Sequence, residues 1–234
     1  MKKLPLITAV MITGMHPRRY RLARIAIQCF RNQTYPNREL LIVNHGVELL
    51  KCDDEQIREL LLSKGPNETV GDLRNIGLES AQGDLVIAWD DDDWHDSRRM
   101  ELQLAALRGD AAVVLKRQIR FSLVNRCGFC ETVPRGIPGT IMHPRSTAIR
   151  YRSMLRGSDS VFLAQFKHRI VVDNDPALYI RFYHGLNLWD AGHIMQRYAG
   201  LDVQDVLALD ESQKLKLAEI LPIYRAWNSE TPRT

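Results

Sequence analysis

The stretch Leu85-Val86-Ile87-Ala88-Trp89-Asp90-Asp91-Asp92-Asp93-Trp94-His95 decides how the chain is read. Its first five residues fit a buried strand, and four acids follow without a break. Like charges side by side repel and favour solvent, so an acidic surface loop is one reading. A ligand site is the other, because open α/β sheets bind ligands beyond the carboxyl ends of their strands. Hard carboxylate oxygens crowded there suit Mg2+ or Mn2+, and such an ion suits a phosphate-bearing substrate.

The flanks predict strands and helices in alternation. Leu6 to Ile12 is a short β-prone run, and Tyr20 to Arg31 carries Leu22, Ile25, Ala26, Cys29 and Phe30 at helical spacing. Glu39 to Asn44 reads as a buried strand ending at His45-Gly46. Asp53 to Ser63 reads as a helix capped by Asp53 or Asp54, with Ile57, Leu60 and Leu61 inward. Lys64 to Asn67 is a break. Gly71 to Ala81 and Ser97 to Arg108 are helical, the second with Met100, Leu104 and Leu107 inward. The order implies an α/β fold with a doubly wound, mostly parallel sheet flanked by helices.

Farther on, Ala111 to Val124 reads as strands, and Arg126 to Arg145 as a long functional loop or cover rich in Gly, Pro and Arg. Val161 to Phe166 is helical and Arg169 to Val172 extended. A helical tail is expected from His193 onward. There Asp210 and Gln213 form a capping box, and Leu217, Ile220, Leu221 and Tyr224 an apolar stripe that Pro222 should end or kink. The stripe suits packing on the domain or on a second copy, a homodimer through these helices; contact with a membrane surface is the alternative.

Net charge is +4 over 234 residues, too dilute to argue for nucleic acid. The N-terminus has Lys2 and Lys3 but no small-residue cleavage site, so no signal peptide is read there. No stretch approaches the about 18 apolar residues of a membrane span. A soluble, cytoplasmic protein is expected, with the cytoplasmic membrane face as a variant. Cys127-Gly128-Phe129-Cys130 is a lone C-x-x-C, read as a tight turn between strands, with zinc or redox chemistry as the alternative.

An ordered series of motifs then resembles the family 2 glycosyltransferases, which have the nucleotide-sugar-binding GT-A fold. Asn32-Gln33-Thr34-Tyr35-Pro36-Asn37 precedes a strand as in that family. Gly71-Asp72-Leu73-Arg74-Asn75-Ile76-Gly77-Leu78 and Ala81-Gln82-Gly83-Asp84 are similar to its approach to the acidic motif. Asp90-Asp91-Asp92 falls on its D-x-D triplet. Gly157-Ser158-Asp159 and Tyr183-His184-Gly185-Leu186-Asn187 resemble its later G-E-D and Y-x-x-H-G-x-N stretches.

The resemblance implies a GT-A domain over residues 1–190, with a nucleotide-binding half (1–108), an acceptor and catalytic half (109–190), and a helical extension over 191–234. It implies an inverting, metal-dependent transferase that moves a sugar from a nucleotide-diphosphate donor, a UDP-sugar first, to an acceptor hydroxyl on a glycan, glycolipid or protein. Asp159 would be the general base. Mn2+ or Mg2+ would sit on Asp92 with His184, and Thr13, Asn44, His45, Arg74, Asp90 and Asp91 would contact the donor. His184 as a structural loop residue stays open. Met142 and His143 would floor the acceptor pocket, in a region made basic by Arg135, Arg145, Arg150 and Arg152.

Departures from the pattern keep two other readings open. Asn44-His45-Gly46-Val47 stands where the family has D-D-G-S, and Ser158 where it has Glu. A non-catalytic nucleotide-sugar or glycan-binding module would tolerate both changes. A sugar-phosphate nucleotidyltransferase shares the fold but would want a Gly-rich loop where Thr13-Gly14-Met15-His16 stands. In that same loop His16, Arg18 or Arg19 could approach a nucleotide, or simply be solvated.

Overall fold

Apolar runs alternating with amphipathic helices do pair into a doubly wound, mostly parallel sheet. The computed structural model describes residues 4–14, 16, 18–62, 68–191 and 205–225. Strand β1 (Ile7–Thr13) leads to α1 (Arg19–Arg31), β2 (Arg38–Asn44), β3 (Ile57–Leu61), α2 (Val70–Ser80), β4 (Leu85–Ala88), β5 (Trp94–His95) and α3 (Arg99–Ala106). Then come β6 (Ala112–Leu115), β7 (Arg117–Ser122), β8 (Cys127–Thr132), β9 (Met142–Pro144) and α4 (Ser158–Ala164). The chain continues through β10 (Arg169–Val172), β11 (Tyr179–Tyr183), β12 (Asp205–Leu207) and α5 (Glu211–Arg225).

The first sheet runs β10-β6-β9-β4-β1-β2-β3, and only β9 is antiparallel to its neighbours. One face buries Ala9, Met11, Ile42 and Ile87 under Ala23, Ala26 and Phe30 of α1. The other buries Val10 and Val86 under Leu78 of α2 and Phe162 of α4. Helix α2 starts on a reciprocal capping box between Thr69 and Asp72. Its close approach depends on Gly77, where a Cβ would lie 2.3 Å from Cγ1 of Val10.

A second sheet, β12-β8-β7-β11-β5, is not foreshadowed by the chain's periodicity. Its apolar face buries Ile119, Phe121, Ile180 and Phe182 against Leu22 of α1 and Leu217, Ile220 and Tyr224 of α5. The rings of Phe182 and Tyr224 stand 4.2 Å apart. The apolar stripe of the C-terminal helix packs within its own chain.

Four local expectations are corrected. Ile57–Leu61 is not helical but a strand in register with Leu40–Asn44, because Asp54 closes a turn through Gln56 and Ile57 instead of capping a helix. Arg126–Arg145 is not a loop alone: it supplies β8 and the central β9. Cys127 and Cys130 lie on strand β8, not in a turn, one exposed and one buried. Asp205–Leu207 pairs as a strand with β8, and α5 runs through Pro222 to Arg225. The Asp210–Gln213 capping box is present. The expected break at 64–67 and the tail at 193–204 lie outside the described residues, within which no helix is long and apolar enough to cross a membrane.

The four acids form the link from β4, in the first sheet, to β5, in the second. Arg99, fully buried, fastens that link from behind. Its guanidinium donates to the carbonyl of Ala88 (2.9 Å), to Gln103 Oε1 (3.1 Å) and to His95 Nδ1, and lies over the rings of Trp89 and Tyr179. His95 is left neutral: burial and Arg99 hold it well below the imidazole range. With Nδ1 accepting, its Nε2–H donates to the Asp90 carbonyl at 3.0 Å.

Replacing Arg99 by Met keeps much of the volume but strands these acceptors, and should cost roughly 2–4 kcal/mol. Urea unfolding followed by tryptophan fluorescence checks this; an unshifted midpoint would remove Arg99 from the role. His143, buried on β9 beside Phe162 and Phe166, is also neutral, burial lowering its pKa to about 4. The unfolded imidazole titrates near about 6.5, so this contribution is complete above that pH and is lost as pH falls through the window down to the folded value. His143→Phe should therefore flatten the decline of stability between those two pH values, read from midpoints at each pH.

Candidate active site

Strands β1 and β2 end side by side at Thr13 and Asn44, and the chain leaving β4 brings the acids beside them. Burial forces each acid to find partners. Asp90, the most open, receives Arg74 Nη2 at 3.4 Å and Tyr179 Oη at 3.3 Å. Asp91 accepts from Thr13 Oγ1 at 2.7 Å and from Arg19. Asp92 faces Arg19 Nη2 at 2.9 Å, His184 Nε2 at 3.0 Å and Asn187 Nδ2 at 3.3 Å. Asp93 accepts from the Phe182 amide at 3.1 Å and from the Tyr179 hydroxyl.

The electrostatics separate the acids. Burial pushes Asp91 up to about 6 although Arg19 pulls the other way. Burial opposes ionisation of Asp92 too, but Arg19 and His184 outweigh it and hold this carboxyl below the usual range. Burial and the charges of Asp92 and Asp90 drive Asp93 well above that range. For Arg181, burial works against the charge, but Tyr179, Asp93, Asp90 and Asp92 raise its pKa and keep it a cation. Asp92 is therefore the acid whose ionised form is favoured, and Asp93 the one whose ionisation is most strongly opposed.

Arg74 connects this tip to the start of α4. Besides Asp90 it pairs with Asp159 and donates to Ser158 Oγ at 3.1 Å, with Tyr151 under its guanidinium. Gly157 at φ 75 is the helix cap, so Ser158 points its hydroxyl at Arg74 instead of capping. Asp90, Asp92, Arg74, Asp159, His184 and Thr13 are thus drawn into one site from five separate segments of the chain.

Other expected residues sit differently. Asn44 is fully buried and engaged: it accepts from the Gly46 amide and donates to the Glu48 carbonyl and the Glu59 carboxylate. His45 pairs with Glu68 at 3.1 Å. Met142 is fully buried on β9, where it pairs with Ile87 of β4 and faces the core under α1. His143 borders a small cleft with Arg74, Asp90 and Tyr151. Arg145 holds the Gly83 carbonyl, and Arg150 the carbonyls of Thr147 and Ile149. Tyr179 and Arg181 are the members that sequence reading missed, because they belong to an unforeseen sheet; Arg19 was named only as one of three basic loop residues that could approach a nucleotide. Asn187 was within reach, as the last residue of the Tyr183–Asn187 match.

The donor chemistry fits a divalent cation in part. A carboxylate and an imidazole nitrogen 3.0 Å apart are ligands that Mn2+ accepts and Mg2+ tolerates. Among the described residues no group of three His, Cys, Asp or Glu side chains could hold an ion alone, so substrate oxygens and water would have to complete the shell.

The chain was compared with known proteins. The family model described as glycosyl transferase family 2 matches residues 18–156. An uncharacterized glycosyltransferase of Haemophilus influenzae is 35% identical over 79 residues, covering 31% of this chain and 32% of that protein. The chain spans about a third of the length of the curated relatives it matches. Residues 1–349 of Staphylococcus aureus TarS superpose with TM-score 0.57 at 14% identity, covering 94% of this chain and 72% of that one. The mannosyltransferase PcManGT of Pyrobaculum calidifontis, solved with GDP-Man and Mn2+, gives 0.56 at 11% identity over 78% of this chain and 57% of that one. At such identities these structures speak for the GT-A fold. A glycosyltransferase fold, an acidic strand tip and a family match over more than half its length agree: the chain belongs to glycosyl transferase family 2.

Proposed function

We propose that the acidic tip receives a nucleotide-diphosphate sugar, a UDP-sugar first, and that the chain passes the sugar to an acceptor hydroxyl with inversion. The observation that carries this reading is the convergence of Arg74, Asp90 and Asp92 with Asp159 at the carboxyl ends of parallel strands. TarS has been solved with UDP-GlcNAc and PcManGT with GDP-Man, which supports a nucleotide-sugar donor. The donor contacts fall mainly in the half spanning 1–108 and the acceptor side in 109–190, while β12 and α5 of the tail at 191–234 complete the second sheet and its core.

Asp159 is the base in this reading. Its carboxylate takes the proton as the acceptor oxygen attacks the anomeric carbon; the bond to the diphosphate breaks, and its electrons leave with the nucleotide. Paired with Arg74, Asp159 is held in place but blunted as a base. A diphosphate offers Arg74 a better partner through paired N–H···O contacts and frees the carboxylate. A bound Mn2+ or Mg2+ would be held by Asp92 and His184 and would neutralise charge on the departing diphosphate. Asn44 is fully engaged within the protein, and a nucleotide other than UDP fits the same scheme.

Incubating the protein with individual nucleotide-sugars and following slow hydrolysis identifies the donor without an acceptor. Titration of UDP with and without Mn2+ separates this reading from a binding module, which would bind without turning over any nucleotide-sugar. Asp159→Asn should keep donor binding and lose transfer by about 10²–10⁴-fold; unchanged transfer would remove Asp159 as base. Asp92→Ala should abolish metal-dependent UDP binding in calorimetry, and retention would place the ion elsewhere.

A further inference from the structure

Arg19 stands where a cation is wanted. It opens α1, so its positive charge lies at the positive end of the helix dipole, with no acid in the first turn to offset it. The side chain is nevertheless buried, with Nη2 on both Asp91 and Asp92. Asp92 Oδ2, the oxygen that His184 Nε2 meets at 3.0 Å, is the oxygen that Arg19 meets at 2.9 Å. The guanidinium and a divalent ion would therefore compete for one carboxylate oxygen. Arg19 Nε, also buried, has no hydrogen-bond partner among the described residues. A buried N–H left unpaired beside a helix N-terminus is a donor looking for an anion.

The geometry points to Arg19 as a counter-ion that exchanges with the metal: it neutralises Asp91 and Asp92 in the empty protein and moves onto the donor diphosphate, which releases Asp92 to the cation. The step is a transfer of ion pairs, with no bond made or broken. It deepens the donor reading above and rests on it for the metal on Asp92 and for the identity of the anion. Two consequences follow from linkage. The free protein binds Mn2+ poorly, and nucleotide diphosphate and metal raise each other's affinity.

The test titrates Mn2+ alone into the full chain and follows the free-ion signal by electron paramagnetic resonance. Arg19→Met should bind one Mn2+ on the order of ten- to a hundredfold more tightly than the wild type, and Arg19→Met with Asp92→Asn should lose that gain. Equal binding by wild type and Arg19→Met overturns the proposal, as does a gain that survives without the Asp92 carboxylate. Should Arg19→Met fail to fold, the wild type decides. Its Mn2+ affinity should rise with saturating UDP, beyond what Mn2+ and UDP show for each other without protein, and no rise overturns the proposal. Failure of UDP to bind at all would defeat the UDP reading instead, and the metal-only comparison would then judge Arg19 by itself.

Discussion

Four adjacent carboxylates cannot leave water together unless each is given a proton, a cation or a set of donors. Much of this architecture answers that constraint. Arg74 comes to Asp90 from α2, Arg19 to Asp91 and Asp92 from the start of α1, and His184 and Asn187 to Asp92 from beyond β11. Tyr179 and the Phe182 amide satisfy Asp93 from within β11. Most partners are far from the acids in sequence. The acidic run therefore acts as a knot that ties both sheets and three helices to one point, and its order depends on the fold being complete.

The same constraint explains why the tip is firm enough to serve chemistry. A loop of aspartates would normally be mobile, because repulsion and hydration both favour spreading. Here its first residue is anchored behind by His95 and Arg99, and its last is held by two donors from β11. Asp90 and Asp92, the two members that face Arg74 and His184, are thereby presented at fixed separation by a rigid support. Asp91 and Asp93 point into the structure and are spent on holding it.

How much of this was legible in the sequence depends on the range of the interaction. The strand before the acids, helices α1 and α2 and the Asp210–Gln213 cap follow from local periodicity and capping, and they form as read. The strand at Ile57–Leu61 was mistaken for a helix because its apolar spacing suits either, and only pairing with β2 decides. The second sheet escaped notice because its strands mix buried polar residues, Gln118, Arg120 and Glu131, with apolar ones. Within the site, Asp90, Asp92, Arg74, Asp159 and His184 were picked out by motif and do converge. Arg19 was not singled out, since nothing local distinguishes a buried arginine from a solvated one in His16-Pro17-Arg18-Arg19.

That omission bears on how the site works. Charge neutrality in the empty protein is reached with arginines, so an incoming diphosphate does not meet bare acids that repel it. It meets guanidinium groups already desolvated and held near the place they would serve. In the proposed reading Arg74, turning to the ligand, would leave Asp90 and Asp159, and Arg19 would leave Asp91 and Asp92. Among the carboxylates released, Asp159 would serve as the proposed base and Asp92 as the proposed metal ligand. Binding of the donor would in this way create the reactive state of both acids, and the ion pairs that hold the site in the empty protein would oppose stray metal binding there.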